Sequence, residues 1–212
     1  MTFSLTRGRP QKSAAGRFAV PLILPILALI LSLFTGQLIA LDRSSSLLTR
    51  LYVSRATSVE FILSYALPIL PLTLLQSVLF FLVGGIVDTG LFGWRMPLAI
   101  LFSLITSLFF IGMGILFGSL CTEKSIGGIA SILVACQSLL SGMWFPIEGL
   151  GDGMLALMNA LPFRNATQLV QNTVLGFGDA WGDFWKPLLI LLAYSLAAFV
   201  GAVLIFRRKM KQ

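Results

Sequence analysis

Residues Asp42–Ser58 read DRSSSLLTRLYVSRATS, a polar island between two apolar runs, Phe18–Leu41 before it and Glu60–Val87 after it. A bilayer core about 30 Å thick needs roughly 20 apolar helical residues to cross it. Two such runs around one short polar link decide the fold class: all-α, a polytopic membrane helix bundle. The island itself carries helical periodicity. Leu47, Leu48, Leu51 and Tyr52 fall on one face, while Arg43 and Arg50, seven residues apart, share the opposite one. Ser44, Ser45 and Ser46 are N-cap candidates for a short amphipathic helix over Arg43–Thr57. Such a helix, lying across the ends of two spans, gives a soluble partner a surface to push. The plainer alternative is a basic juxtamembrane loop held against anionic membrane lipid by Arg43, Arg50 and Arg55.

Composition agrees with the membrane reading. Of 212 residues, 57% are hydrophobic and 11% charged, with a mean hydropathy of +0.95. A soluble domain carries about 25% charged residues. The net charge of +7 would suggest nucleic acid in a soluble protein, but here the cations flank apolar spans, so membrane topology accounts for them and no nucleic-acid partner is expected. The absence of histidine excludes a Ser-His-Asp triad and the His-Glu-x-x-His zinc motif. Cys121 and Cys136 lack paired spacing and read as small apolar residues.

In chain order, residues 1–17 form a polar, basic N-terminal segment and 18–212 a transmembrane domain. The first apolar run is too long for a signal peptide, and no small-residue cleavage site follows it. Spans are expected over 18–41, 60–87, 97–120, 126–147 and 185–206. Pro68 and Pro71 predict a kink or an interruption in the second. Asp88–Met96 reads as a tight turn and Thr122–Ser125 as a short polar one. In the long stretch Glu148–Trp185, Ala166, Leu169, Val170, Thr173 and Val174 repeat with helical spacing. They predict an amphipathic outer helix lying in the interface or dipping into it, with Trp181 and Trp185 as interfacial aromatics beside the last span.

With the basic C-terminus inside, the inner segments hold eight Lys/Arg against three in the outer loops, Arg95, Arg164 and Lys186. Arg7, Arg9, Lys12 and Arg17 then fall outside and raise the outer total to seven, a conflict that a missing upstream span would remove.

Within the spans, Gly114-x-x-x-Gly118 and the stripe Ala193, Ala197, Gly201 predict close helix packing inside the bundle. Gly176-Phe177-Gly178-Asp179 matches the G-x-G-D pattern of intramembrane aspartyl proteases, but no carboxylate inside a span can partner Asp179. Asn165-Ala166-Thr167 fits a glycosylation sequon that arises often by chance. No Walker loop occurs, and no span carries an internal charge for ion coupling. Gln37, Gln76 and Gln137 either bond between helices, the favoured role, or line a pathway. Neither a metal site nor a catalytic constellation is present, so the chain is not expected to be an enzyme.

The stretch Ser141–Gly176, SGMWFPIEGLGDGMLALMNALPFRNATQLVQNTVLG, resembles the C-terminal signature of type-2 ATP-binding cassette (ABC) permeases. Ser141 and Gly142 precede the aromatic-Pro pair Phe145-Pro146; Leu161-Pro162 then leads into a second outer helix. Asp42-Arg43 followed by Leu47–Val53 resembles the start of that family's coupling helix, although Ser45-Ser46 replaces the usual Gly-Thr. The resemblance implies the membrane subunit of a bacterial ABC exporter, lacking the first of six spans. It would lie multi-pass in the cytoplasmic membrane with its C-terminus inside, and it would form a homodimer or a heterodimer with a second permease. A separate cytoplasmic ATPase would bind the ATP, leaving this subunit without a cofactor. The implied coupling contacts are Asp42, Arg43, Leu47, Leu48, Arg50, Leu51 and Arg55, with Glu123 and Lys124 from the turn. Gln37, Gln76, Gln137 and Phe145 are the pathway candidates. The substrate would be amphipathic or hydrophobic: a drug, lipid, peptide or glycan. The alternative is a non-transporting five-span remnant or regulatory subunit.

Overall fold

A computed structural model describes residues 15–44, 57–87, 89–142, 151–176 and 181–209. Seven α-helices run through them: α1 Ala15–Ser44, α2 Ser58–Val87, α3 Met96–Leu120, α4 Glu123–Leu140, α5 Asp152–Ala160, α6 Pro162–Leu175 and α7 Lys186–Lys209. A 3-10 turn, Thr89–Leu91, leads into α3, and a π-helical turn, Trp181–Trp185, leads into α7. No strand occurs among the described residues.

Four helical stretches are long and apolar enough to cross a membrane: Ile23–Asp42, Val59–Val87, Met96–Leu120 and Trp181–Arg208. Their burial separates them into two classes. Within the 18-residue apolar stretch of each, 56% of residues are buried in α1 and in α3, against 22% in α2 and 17% in α7. Thus α1 and α3 form the centre, and α2 and α7 turn leucine-rich faces outward (Leu67, Leu75, Leu79 and Val83; Leu189, Leu192, Leu196 and Val200). Helices apolar all round suit a hydrocarbon solvent.

The central pair runs parallel with its backbones nearly touching. A Cβ added at Gly114 would fall on the carbonyl oxygen of Ser32, and one added at Gly36 would lie 2.5 Å from that of Gly114. The Gly114-x-x-x-Gly118 motif therefore serves packing within the chain, mated to small residues of α1 four apart. Of the kink or interruption expected in the second span, the interruption is absent: α2 continues through Pro68 and Pro71. The span expected over 126–147 starts earlier, at Glu123, and its described helix ends at Leu140. It is not among the four membrane-length apolar helices, because Glu123, Lys124, Gly127, Gly128 and Gln137 lower its hydropathy; residues 143–147 lie outside the described ones.

The amphipathic helix expected in the outer stretch is α6. Ala166, Leu169, Val170 and Thr173 are all fully buried, facing α1, α3 and α7. Val170 joins Leu24, Phe81, Leu91 and Ala99 in one apolar cluster. Trp181 and Trp185 stay exposed at the same end of the bundle. Asn165 stitches α5 to α6 by donating from Nδ2 to the carbonyls of Asn159 (2.9 Å) and Leu161 (2.7 Å). Burial of Asn165 and Thr167 removes the sequon from reach of any glycosylating enzyme.

Candidate functional site

One end of the bundle gathers the C-termini of α1, α3 and α7 with the N-termini of α2 and α4. α1 runs on through Asp42 and Arg43 to Ser44, so these residues form its last turn. Leu47, Leu48, Arg50, Leu51 and Arg55 lie outside the described residues, as does Phe145. On the far flank of that segment, Thr57 and Glu60 form a reciprocal cap for α2. The Thr57 amide donates to Glu60 Oε2 at 2.8 Å, and the Glu60 amide donates to Thr57 Oγ1 at 3.3 Å.

The supposed turn Thr122–Ser125 shortens to Cys121–Thr122, because Ser125 Oγ accepts from the Thr122 amide at 3.1 Å and the helix begins at once. Glu123 and Lys124 are therefore in the first turn of α4, both exposed. Glu123 shares a cleft of about 440 Å³ with Ile126 and with Phe34, Gln37, Leu38 and Leu41 of α1. The last turns of α1 and the start of α4, expected as two separate contacts, thus meet at one place. Arg207 and Arg208 are exposed at the end of α7.

Gln37 and Phe34 also line an apolar groove of about 450 Å³ between α1 and α4, completed by Ile30, Leu33, Ala130, Ser131, Val134 and Ala135. Of the three glutamines, only Gln37 faces this groove. Gln137 is fully buried, and neither its Oε1 nor its Nε2 has a hydrogen-bond partner among the described residues. Gln76 is half-buried on α2 and lines neither opening. The expected interhelical bonding falls instead to short hydroxyls, with Ser103 Oγ of α3 donating to Ser77 Oγ of α2 at 2.9 Å.

Two residues at this and the opposite end escaped sequence reasoning. Tyr65 donates its hydroxyl to Asp42 Oδ2, 23 residues away, at 2.5 Å. Its only sequence signal is a polar-tipped aromatic inside an apolar run. At the other end, half-buried Arg164 on α6 has an Nη1 without a hydrogen-bond partner among the described residues, and burial pulls its guanidinium below the usual range. Cys121 and Cys136 are free thiols, in keeping with their packing role.

The buried polar side chains among the described residues are Ser, Thr, Asn and Gln, none of them charged. Together with four membrane-length apolar helices, they define a multi-pass membrane protein with no ion-coupling carboxylate buried in its described core. The chain belongs to the ABC-2 family transporter proteins, whose family pattern matches residues 2–204. It is 26% identical over 197 residues to the "Probable multidrug ABC transporter permease YbhR" of Escherichia coli (strain K12), covering 91% of this chain and 52% of the relative. The YbhR of Escherichia coli O157:H7 matches equally, at 26% over 197 residues with the same coverage, 91% and 52%. The "Putative transport permease YvfS" of Bacillus subtilis (strain 168) is 29% identical over 123 residues, 58% of this chain and 49% of the relative. The chain thus spans about half the length of the curated relatives it matches. Membership places the chain in the ABC-2 transporter permease family.

Proposed function

We propose that this permease is the membrane half of an ATP-driven exporter in a bacterial cytoplasmic membrane, with its C-terminus inside. A cytoplasmic ATPase docks on the segment between α1 and α2 and on Glu123 and Lys124, and a second permease subunit completes the pathway. The carrying observation is the shared cleft: Leu41, at the end of α1, and Glu123, at the start of α4, line one opening. A partner closing there would push two helices at once, and packed helices transmit such a push as rigid-body tilting. The apolar α1–α4 groove with Gln37 on its wall suits an amphipathic or hydrophobic substrate, whether drug, lipid, peptide or glycan.

A gentle pull-down of the tagged chain from its native membrane tests the reading. The expected result is a co-purifying ATPase with a Walker loop, lost in the Leu48→Asp/Leu51→Asp double variant. A correctly inserted chain that brings no ATPase would overturn it. An ATPase that binds without any substrate efflux in vesicles would make the chain a regulatory subunit instead.

A further inference from the structure

We propose that Tyr65 is a positioning residue of the coupling end: it clasps Asp42, so that α2, with α7 behind it, moves together with the segment that follows α1. The inference rests on the permease reading above. Asp42 lies in the last turn of α1, just before residues 45–56, with its carboxylate half-buried at the rim. Tyr65, in the second turn of α2, donates its hydroxyl to that carboxylate. A neutral donor on an ionised acceptor is among the stronger hydrogen bonds.

The root of the clasp is stiff. The Tyr65 ring packs against the apolar cluster of Ile39, Ile62, Ala66, Ile69, Ile111 and Ala202, contributed by α1, α2, α3 and α7. Phe61, one turn earlier, meets Tyr65 edge-on at 4.9 Å and stacks on Phe206 of α7 at 4.2 Å. A continuous path of Asp42, Tyr65, Phe61 and Phe206 therefore joins three helices at their coupling ends. Thr57 and Glu60 secure the other exit of the same segment to α2. Both flanks of residues 45–56 are tied to one helix, so a push on that segment is delivered to α2 and α7 as well as to α1.

Tyr65→Phe removes the hydroxyl and keeps the ring packing, which separates positioning from stability. The assay uses inverted vesicles from cells producing the full chain and its ATPase, with a lipophilic fluorescent dye as the transported probe. Dye moved per ATP hydrolysed should fall about tenfold in Tyr65→Phe, the scale expected for losing a hydrogen bond to a charged group. Adding Tyr65→Phe to Asp42→Ala should cause no further fall than Asp42→Ala alone, and Tyr65→Phe by itself should leave membrane level and bound ATPase unchanged. An undiminished ratio in Tyr65→Phe, or a loss that merely follows membrane level, would overturn the proposal. Hydrogen exchange on the detergent-purified full chain gives a check without transport. Amides on both flanks of residues 45–56 should exchange faster in Tyr65→Phe, and unchanged exchange would overturn the clasp. Failure of the permease reading is visible separately: the unsubstituted chain would bind no ATPase and move no dye, which would remove the transmitting role as well.

Discussion

Gly118 of α3 rests on Gly36 of α1 so closely that a Cβ added to Gly118 would lie 2.5 Å from the Gly36 carbonyl oxygen. No side-chain rotation relieves such a clash, because both parties are backbone. Gly118→Ala should therefore cost about 1–3 kcal/mol, the usual penalty of overpacking, and lower the thermal midpoint in detergent. Gly128→Ala is the control: nothing lies within 4 Å of a Cβ there, and its midpoint should hold or rise. Equal effects of the two substitutions would show that α1 and α3 do not meet as described.

Asn165 supplies donors to two carbonyls at the α5–α6 junction, where Leu161 ends one helix and precedes the other. Asn165→Ala should destabilise the protein by about 1–3 kcal/mol, the loss of two hydrogen bonds of about 0.5–1.5 kcal/mol each. Thermal unfolding followed by size-exclusion fluorescence reads this directly, and an unchanged midpoint would sink the prediction.

Gln137 presents the opposite case, a buried amide with no hydrogen-bond partner among the described residues. Replacing it by the similarly sized Leu removes a desolvation cost and should raise stability by about 1–3 kcal/mol. A lower midpoint in Gln137→Leu would mean that the amide is satisfied in the membrane.

Arg50 tests the ATPase contact rather than the fold. Arg50→Glu should leave membrane insertion and protein level intact while uncoupling ATP hydrolysis from export in vesicles. Full export by that variant would count against the docking surface proposed for residues 43–57.

The sequence made the membrane class and most of the helix positions legible, because long apolar runs and helical periodicity are local signals. The spacing of Ala166, Leu169, Val170 and Thr173 identified α6, and each of those residues is buried. Gly114 and Gly118 were legible as packing residues for the same reason, although their mates, Ser32 and Gly36, were not. What stayed hidden depends on which faces of different helices meet. Nothing in an apolar run tells that Tyr65 reaches Asp42, or that Gln137 turns inward while Gln37 faces a groove. The end of α1 was also misplaced: Asp42 and Arg43 read as the start of an amphipathic helix because charge suggests a boundary, yet the α1 helix runs past both. For α4, two glycines and a charged first turn diluted the apolar signal.

The two prolines of α2 carry a mechanical consequence. Lacking an amide hydrogen, Pro68 and Pro71 leave the carbonyls of Ser64 and Leu67 without their usual partners four residues on. A helix missing two rungs within one turn bends more easily there than above or below. α2 is thus a lever with a compliant section, set just beyond Tyr65. Below it the helix is bolted to its neighbours at the coupling end; above it, Ser77 and Phe81 anchor the inner face to the bundle, so the two fixed halves can flex about the prolines without unlocking either.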